Sequence, residues 1–540
     1  MLGKSSKLLS TNDQKGIELY RDGSMLKIKD HEPPVLRICI DPGSKAAPAN
    51  IQVGFPILPE AGSPIHFKLL REWLRVCDNQ HSCLPGSDSL LPTRVLDVGD
   101  HMNSDSLRLY CTNGDEQGKY IALSHCWGIL QESKKFCTYG HNIAALCESI
   151  DFNKLPKTFQ DAVIVTRELG KRFLWIDSIC IIQDDKDDWD RESQKMETFF
   201  SSAYCTIAAS SAEDSTKGFL SPRSPSKPAR ECVKVPNALD TSLYICEIID
   251  NFHHDVEKGK LSQRGWVLQE RALSRRTIHF TTAQTYWECG EGVHCESLIK
   301  MHNEKARLLG DPQFPESILG RADKNKIRLF ESVFEMYSKL ALTKCADRSV
   351  AISGLENRFA STFHTEGRHG IFQCYLHRSI LWQRSREERM KRIEYPPDRK
   401  VPSWSWMAYE GEISYMDIPF NRVEWSNAVK CFSGELVLKA PVREFLRCTI
   451  ELQNTECAIF AKGADKRGWL KFDREDMTDI QRLKCIVVGR AREGQETVEQ
   501  EHYVLAVVQR LEGGYERVGV GSIQRRQISL KGGEFESRII

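Results

Sequence analysis

The clearest change of hydrophobic pattern along the chain lies between Phe173 and Ala203. Phe173 to Ile182 is a short apolar run rich in isoleucine and aromatic residues, and this pattern predicts a strand covered on both faces. Apolar residues then recur at helical spacing, which predicts an amphipathic helix whose apolar stripe contains Trp189, Met196, Phe199, Phe200 and Ala203. At 3.6 residues per turn, Glu192 falls roughly 40° from the centre of that stripe.

A carboxylate beside an apolar stripe has two interpretations. Glu192 either lies at the edge of the stripe and reaches water or an arginine, or it is held in a functional site, because an unpartnered buried carboxylate is costly. Asp177 interrupts the preceding apolar run and must also be paired or functional.

Two further apolar runs resemble the first one. They cover Lys119 to Gly128 and Tyr204 to Ser210, and helical patterns lie between the three runs. This alternation predicts an α/β fold with a mainly parallel sheet that contains Ile121–Cys126, Leu174–Cys180 and Thr206–Ala209. Ligands usually bind at the carboxyl ends of parallel strands, where the pattern places Ser124, His125, Asp177, Ser178 and Gln183. His125 and Cys126 cannot form a catalytic dyad with each other, since neighbours on a strand point to opposite faces. Neither a GxGxxG nor a GxxxxGK[ST] motif is present.

The segment RGWVLQERALSRRTIHF, residues 264–280, has a second carboxylate beside an apolar stripe. The pattern predicts a helix that carries Glu270, followed by a strand pair, TIHF with TYWEC. Arginines flank Glu270, so an ion pair is the favoured interpretation.

The patterns in the remaining regions predict that the chain is divided into four parts. Residues 1–118 form an N-terminal arm and helix, with LPTRVLDV as an edge strand, and residues 119–280 form the α/β core. Residues 281–425 are mainly helical, with helices in Asp323 to Ala360 and Phe372 to Arg392 and a strand at Ser403 to Trp406. Residues 426–540 form a β-rich C-terminal region.

Composition excludes several classes of function. The 75 basic and 74 acidic residues leave a net charge of +1, so nucleic-acid binding is not favoured. The chain has no apolar run long enough to span a membrane. The chain has 19 cysteines, and its N-terminus lacks the apolar core of a signal peptide. This combination favours reduced thiols in a cytosolic or nuclear protein, and we expect a cytoplasmic location.

Two clusters suggest a metal ion at first sight. Cys77, His81 and Cys83 could begin a zinc site, but no fourth ligand is evident from the sequence, and we expect no stoichiometric zinc. The aspartates from Asp184 to Asp190 lack the spacing of a calcium loop and suit the first turn of a helix, so capping is the favoured interpretation.

Three motifs together resemble the fungal heterokaryon incompatibility (HET) domain. They are YIALSHCWG, LPKTFQDAVIVTRELGKRFLWIDSICIIQDDKDDWDRESQKM and RGWVLQERALS, in this order between Lys119 and Ser274. LPTRVLDV, DRSVAISGL, VPSWSWMAYEG and YERVGVG also look like segments of HET-domain proteins. The family usually has tyrosine where this sequence has His125.

The resemblance implies an effector of non-self recognition between fused fungal cells that ends in cell death. HET domains are compared with Toll/interleukin-receptor (TIR) domains, which are flavodoxin-like, and some of these hydrolyse NAD with a glutamate shortly after a helical tryptophan. Trp189 and Glu192 resemble that pair. The resemblance thus implies a TIR-like NAD glycohydrolase in which Glu192 is catalytic, Ser124, Asp177 and Trp189 shape the pocket, NAD is the substrate and no cofactor is required. The alternative is a non-catalytic adaptor that acts through association with itself or with protein partners.

Overall fold

Two compact units make up the computed structural model of the chain. The first contains Met1–Gln263 with Glu270–Pro312, and the second contains Arg264–Gln269 with Gln313–Ile540. The structure describes residues 19–28, 36–42, 51–56, 58–83, 89–99, 106–131, 134–220, 232–235, 243–301, 320, 322–386, 390–432, 437–453, 456–461, 465–474, 482–492, 499–511, 513–529 and 536–540.

A mixed sheet forms the centre of the first unit. Within the described ranges it has nine strands in the order β15-β14-β13-β12-β9-β7-β8-β5-β6. These strands are β5 (Arg94–Asp97), β6 (Arg108–Cys111), β7 (Tyr120–Ser124), β8 (Phe173–Trp175), β9 (Cys205–Ala208), β12 (Arg276–Phe280), β13 (Thr285–Cys289), β14 (Gly292–Cys295) and β15 (Lys300–Met301).

Four adjacent strands of this sheet are parallel. β7 pairs in parallel with β8 and with β9, and β9 pairs in parallel with β12. The parallel arrangement predicted for the three apolar runs is therefore confirmed, as is the strand pair β12–β13, which is antiparallel. The sheet as a whole is not mainly parallel, because β5, β6, β13, β14 and β15 join it antiparallel. LPTRVLDV is also not at the edge, since β5 lies between β8 and β6.

Helices connect the parallel strands, as the alternating pattern predicts. The helices of the first unit are α1 (Pro64–Gln80), α2 (Ile143–Glu148), α3 (Lys157–Glu168), α4 (Asp177–Cys180), α5 (Lys186–Gln194) and α6 (Met196–Ser202). A further helix, α7 (Gly265–Leu273), carries Glu270 and contains residues of both units. The single helix predicted from Trp189 to Ala203 is two helices that meet at Lys195. The predicted strand Leu174–Cys180 ends at Trp175, and Asp177 is the first residue of a helical turn.

A smaller sheet of the first unit, described over six strands, has the order β1-β2-β3-β11-β10 with β4 beside β3. Its strands are β1 (Leu19–Asp22), β2 (Met25–Ile28), β3 (Leu36–Ile40), β4 (Gln52–Val53), β10 (Cys232–Val235) and β11 (Leu243–Glu247).

The second unit contains three described α-helices, several short strand pairs and a large sheet. The helices are α8 (Asp323–Ser338), α9 (Ser353–Thr362) and α10 (Leu376–Ser379). The short strands are β16 (Gly367–Arg368), β17 (Ile371–Phe372), β18 (Trp382–Arg384), β19 (Lys391–Arg392), β20 (Tyr409–Glu410) and β21 (Ile413–Tyr415). The large sheet, eleven strands over the described residues, contains β22 (Val423–Trp425), β23 (Lys430–Phe432), β24 (Val437–Pro441), β25 (Arg443–Glu444), β26 (Cys448–Gln453), β27 (Glu456–Ala461), β28 (Lys466–Phe472), β29 (Leu483–Ala491), β30 (Glu501–Gln509), β31 (Tyr515–Gln524) and β32 (Glu536–Ile539).

Two predictions for the second unit are wrong. The helix predicted over Phe372 to Arg392 is reduced to α10, and strands β18 and β19 follow it. The strand predicted at Ser403 to Trp406 is a turn that leads into a short helical segment, Trp406–Ala408. Among the described residues, no helix is long and apolar enough to cross a membrane.

Candidate active site at the carboxyl ends of the parallel strands

Asp177 lies just beyond the carboxyl end of β8 and receives several polar contacts. The indole Nε1 of Trp127 donates a hydrogen bond to its Oδ2 over 2.9 Å, and the backbone N–H of Ser178 donates to its Oδ1 over 2.7 Å. Nδ1 of His125 lies 3.8 Å from Oδ1. The Asp177 side chain keeps 26% of its surface exposed, so a ligand can reach this carboxylate. Trp127 and His125 come from the segment after β7, so these contacts bring the ends of two parallel strands together.

Ser124 is the last residue of β7, and its hydroxyl donates a short hydrogen bond to Oε2 of Glu270. Both residues are buried. The contact joins residues 146 positions apart and holds the Glu270 side chain at the end of β7. The sequence interpretation of Glu270 as an arginine partner did not anticipate this contact, because no local pattern links position 124 to position 270.

A buried charged network beside Glu270 holds the same helix in place. Arg271 donates two hydrogen bonds, of 2.9 and 2.7 Å, to the carboxylate of Glu288 on β13, and His279 on β12 lies 2.8 Å from the same carboxylate. Burial alone would raise the pKa of Glu288, but the positive charge of Arg271 and the bond to His279 outweigh it and lower the pKa to about 2. The orientation of Glu270 toward Ser124 therefore rests on a salt bridge made by its neighbour.

Glu192 is buried, with 2% of its side chain exposed, and its Oε1 accepts three polar contacts. Thr93 Oγ1 donates over 3.1 Å, Lys195 Nζ over 3.2 Å and Arg191 Nε over 3.3 Å. The two cations are about half exposed. Thr93 directly precedes β5, which runs antiparallel to β8, so the Glu192 carboxylate lies at the same edge of the sheet as Asp177.

A second acidic residue anchors the helix that carries Glu192. Arg94 donates a 2.5 Å hydrogen bond to Asp188, and the backbone N–H of Ile182 donates to the same oxygen over 2.9 Å. Burial alone would raise the pKa of Asp188, but these two hydrogen bonds hold it below its ordinary value. Asp185 caps the helix by accepting hydrogen bonds from the backbone N–H groups of residues 187 and 188. Helix capping by the aspartate cluster is thus confirmed at Asp185.

The residues predicted for the site fall into separate hydrogen-bonded groups along this edge. Ser124 bonds to Glu270, Asp177 bonds to Trp127, and Glu192 bonds to Thr93, Lys195 and Arg191. Trp189 lies half-buried on α5, one turn before Glu192. Two residues of the edge, Trp127 and Glu270, were not among the predicted site residues. Trp127 follows the end of β7 by three residues, within YIALSHCWG. Because the element order predicts that the ends of β7 and β8 are neighbours, the Trp127 indole N–H could have been predicted as a partner of Asp177.

The geometry defines a class of protein first. It is an α/β domain with four parallel strands in which polar and acidic side chains lie at the carboxyl ends of β7 and β8, the position where open α/β sheets bind ligands. Residues 120–270 match the family model described as heterokaryon incompatibility protein (HET), and this match runs from the first residue of β7 to Glu270. Residues 120–270 therefore form a HET domain, and the match supports a role related to heterokaryon incompatibility. No curated protein and no solved structure matches the chain.

Proposed function

We propose that this chain is an effector of fungal non-self recognition whose activation ends in cell death, and that residues 120–270 carry this activity. The observation that supports the proposal is the position of the family match. It spans the parallel strands β7, β8 and β9 together with both ends of the Ser124–Glu270 contact. The effector role predicts that expression of the full chain in a fungal host arrests growth.

For the chemistry we propose a TIR-like NAD glycohydrolase. Cleavage of the nicotinamide N-glycosidic bond requires a carboxylate that holds the ribose hydroxyls and stabilises an oxocarbenium-like centre. Glu192 would supply this carboxylate, with Ser124, Asp177 and Trp189 shaping the pocket. The support is that the carboxylates of Glu192 and Asp177 lie at one edge of the sheet.

One observation favours a second function, an adaptor that acts by association without catalysis. The contacts of Glu192 with Lys195 and Arg191 give its carboxylate a structural partner that explains its burial without a substrate. In this alternative the edge of the sheet stabilises the domain, and death is signalled through homotypic or heterotypic protein contacts.

The experiment that tests the proposal measures two quantities on the same proteins. Purified full chain is incubated with NAD and nicotinamide release is followed, while growth is scored in a fungal host at verified expression. The variants are Glu192→Gln and a matched control, Glu197→Gln, on the next helix. Nicotinamide release and toxicity that both disappear only in Glu192→Gln support the enzyme. Toxicity without nicotinamide release supports the adaptor. The host that expresses the wild type is also fused with an incompatible partner strain. Normal growth after this fusion contradicts the effector role.

A further inference from the structure

Four potential zinc ligands meet at one end of α1. The thiols of Cys77, Cys83 and Cys289 and the imidazole of His81 place their ligand atoms within 4.8 Å of one another. The three cysteines are buried, and the structure assigns all of them as free thiols. The reason for expecting no zinc was the missing fourth ligand, and Cys289 supplies a fourth ligand from a distant part of the chain.

The elements explain why these residues meet. Cys77 is in the last turn of α1, and His81, which directly follows Gln80, donates its backbone N–H to the Cys77 carbonyl oxygen over 3.2 Å. A spacing of four residues places both side chains on one side of that turn. Cys83 follows two residues later.

Helix α1 runs along β13, which brings Cys289 to its end. Near the start of both elements, His66 Nε2 lies 2.9 Å from Thr285 Oγ1. From there, eleven helical residues advance about 16 Å and four strand residues about 13 Å, so both elements reach the cluster together.

The spacing of the ligand atoms fits a tetrahedral ion. With Zn–S near 2.3 Å and Zn–N near 2.05 Å, tetrahedral angles place a sulfur and a nitrogen ligand about 3.6 Å apart. The Cys289 Sγ to His81 Nδ1 distance is 3.6 Å. Backbone N–H groups at the turn after β13 also face the sulfurs, that of Gly290 toward Cys83 and that of Glu291 toward Cys289. Such donors stabilise the thiolate form that binds metal.

We propose that Cys77, His81, Cys83 and Cys289 form a structural zinc site that joins the end of α1 to the β13–β14 turn. Three thiolates and one neutral imidazole are a common ligand set for structural zinc, and four protein ligands leave no position for a substrate or an activated water. Zinc binding releases the thiol protons and links two segments about two hundred residues apart in the chain. The proposal is independent of any activity at the carboxyl edge of the sheet.

Elemental analysis of the purified full chain tests the site. We expect about one zinc per chain in the wild type and less than about 0.2 in Cys289→Ser. The matched control is Cys205→Ser, a buried cysteine on β9 outside the cluster, which should keep its zinc. His81→Ala should lose zinc, whereas His81→Cys should retain it, because four thiolates also bind zinc.

A second measurement on the wild type remains informative if a variant fails to fold. Exchange of the bound metal for Co²⁺ should produce thiolate-to-cobalt charge-transfer bands and the strong visible bands of a tetrahedral site. Wild-type protein without zinc and with all thiols reactive would overturn the proposal. So would a disulfide within the cluster, or zinc that survives Cys289→Ser.

Discussion

Replacement of Glu192 by glutamine separates the two proposed functions, and the structure sets the expected cost in stability. Glutamine keeps an oxygen that can accept the Thr93 hydrogen bond but removes the charge that pairs with Lys195 and Arg191. Because those cations are 42% and 52% exposed, water can solvate them when they lose their partner. Exposed or half-exposed pairs contribute about 0.2–1 kcal/mol each, so the total loss should be about 0.5–2 kcal/mol.

Thermal unfolding of the full chain measures this loss. A cost of this size corresponds to a shift in Tm of a few degrees, at roughly 2–4 °C per kcal/mol for domains of 150–250 residues. A double-mutant cycle of Glu192→Gln with Lys195→Met should give a coupling energy of at most about 1 kcal/mol. A loss above about 3 kcal/mol would refute the reasoning, since a cost of that size is typical of a buried charge left without its partner.

The enzyme proposal adds a second expected result for the same variant. Nicotinamide release should fall by several orders of magnitude, because the amide cannot stabilise a positively charged transition state as a carboxylate does. Release that is unchanged in Glu192→Gln, measured beside the Glu197→Gln control, would end the assignment of Glu192 as the catalytic residue.

Two further predictions concern the second unit. Burial raises the pKa of Glu356 to about 7 although its Oε1 accepts a 2.5 Å hydrogen bond from the Gly370 N–H. An acid whose pKa is higher in the folded state than in the unfolded state destabilises the fold as pH rises from about 4.5 to 7. The free energy of unfolding of Glu356→Gln should therefore exceed that of the wild type by up to about 3 kcal/mol at pH 8 and by little at pH 4.5. Equal differences at both pH values in thermal unfolding would contradict this. Gly370→Ala should lower the free energy of unfolding by about 2–4 kcal/mol, since φ is +78° and the new Cβ would lie 2.2 Å from the buried Trp406 Nε1. Its control is Gly513→Ala, with φ of +90° and open space around the new Cβ, which should cost only about 1–2 kcal/mol in chemical denaturation. A cost in the control as large as in Gly370→Ala would exclude the contact with Trp406 as the cause.

Apolar runs were enough to predict the centre of the first unit, because strands buried on both faces are apolar along most of their length. The runs at β7, β8 and β9 follow this rule, and all their residues except Phe173 are buried. Strands β6, β14 and β15 were not predicted, since short strands such as β6 and β15 carry little pattern.

The two wrong predictions for the second unit share a physical cause, which is that polar side chains in these segments are buried and bond to backbone groups distant in the chain. Ser403 and Ser405 alternate with two tryptophans as in a strand, yet both serines are fully buried and donate hydrogen bonds to backbone carbonyl oxygens. Likewise, Arg378 and Arg384 lie within the helix predicted over Phe372 to Arg392, but both are buried and donate hydrogen bonds to the carbonyl oxygens of Ile418 and Phe472.

The candidate site was predictable in its position but not in its partners. The carboxyl ends of β7 and β8 followed from the element order, and Ser124 and Asp177 lie there. The partner of Ser124 depends on how α7 packs, and the partner of Cys77 depends on the path of α1 along β13. Neither contact leaves a local signal in the sequence.

The arrangement of the nine-stranded sheet bears on how the domain is studied in isolation. The matched residues 120–270 contain β7, β8 and β9, whereas β5 and β12, which cover the two sides of this trio, lie outside that range. A recombinant fragment cut at these limits would expose unpaired backbone along β8 and β9, and such edges pair with other chains. A longer fragment from Lys119 to Phe280 regains β12 but leaves β8 uncovered. Self-association of either fragment would then report the cut edges rather than a signalling interface, and aggregation could mimic toxicity in a host cell.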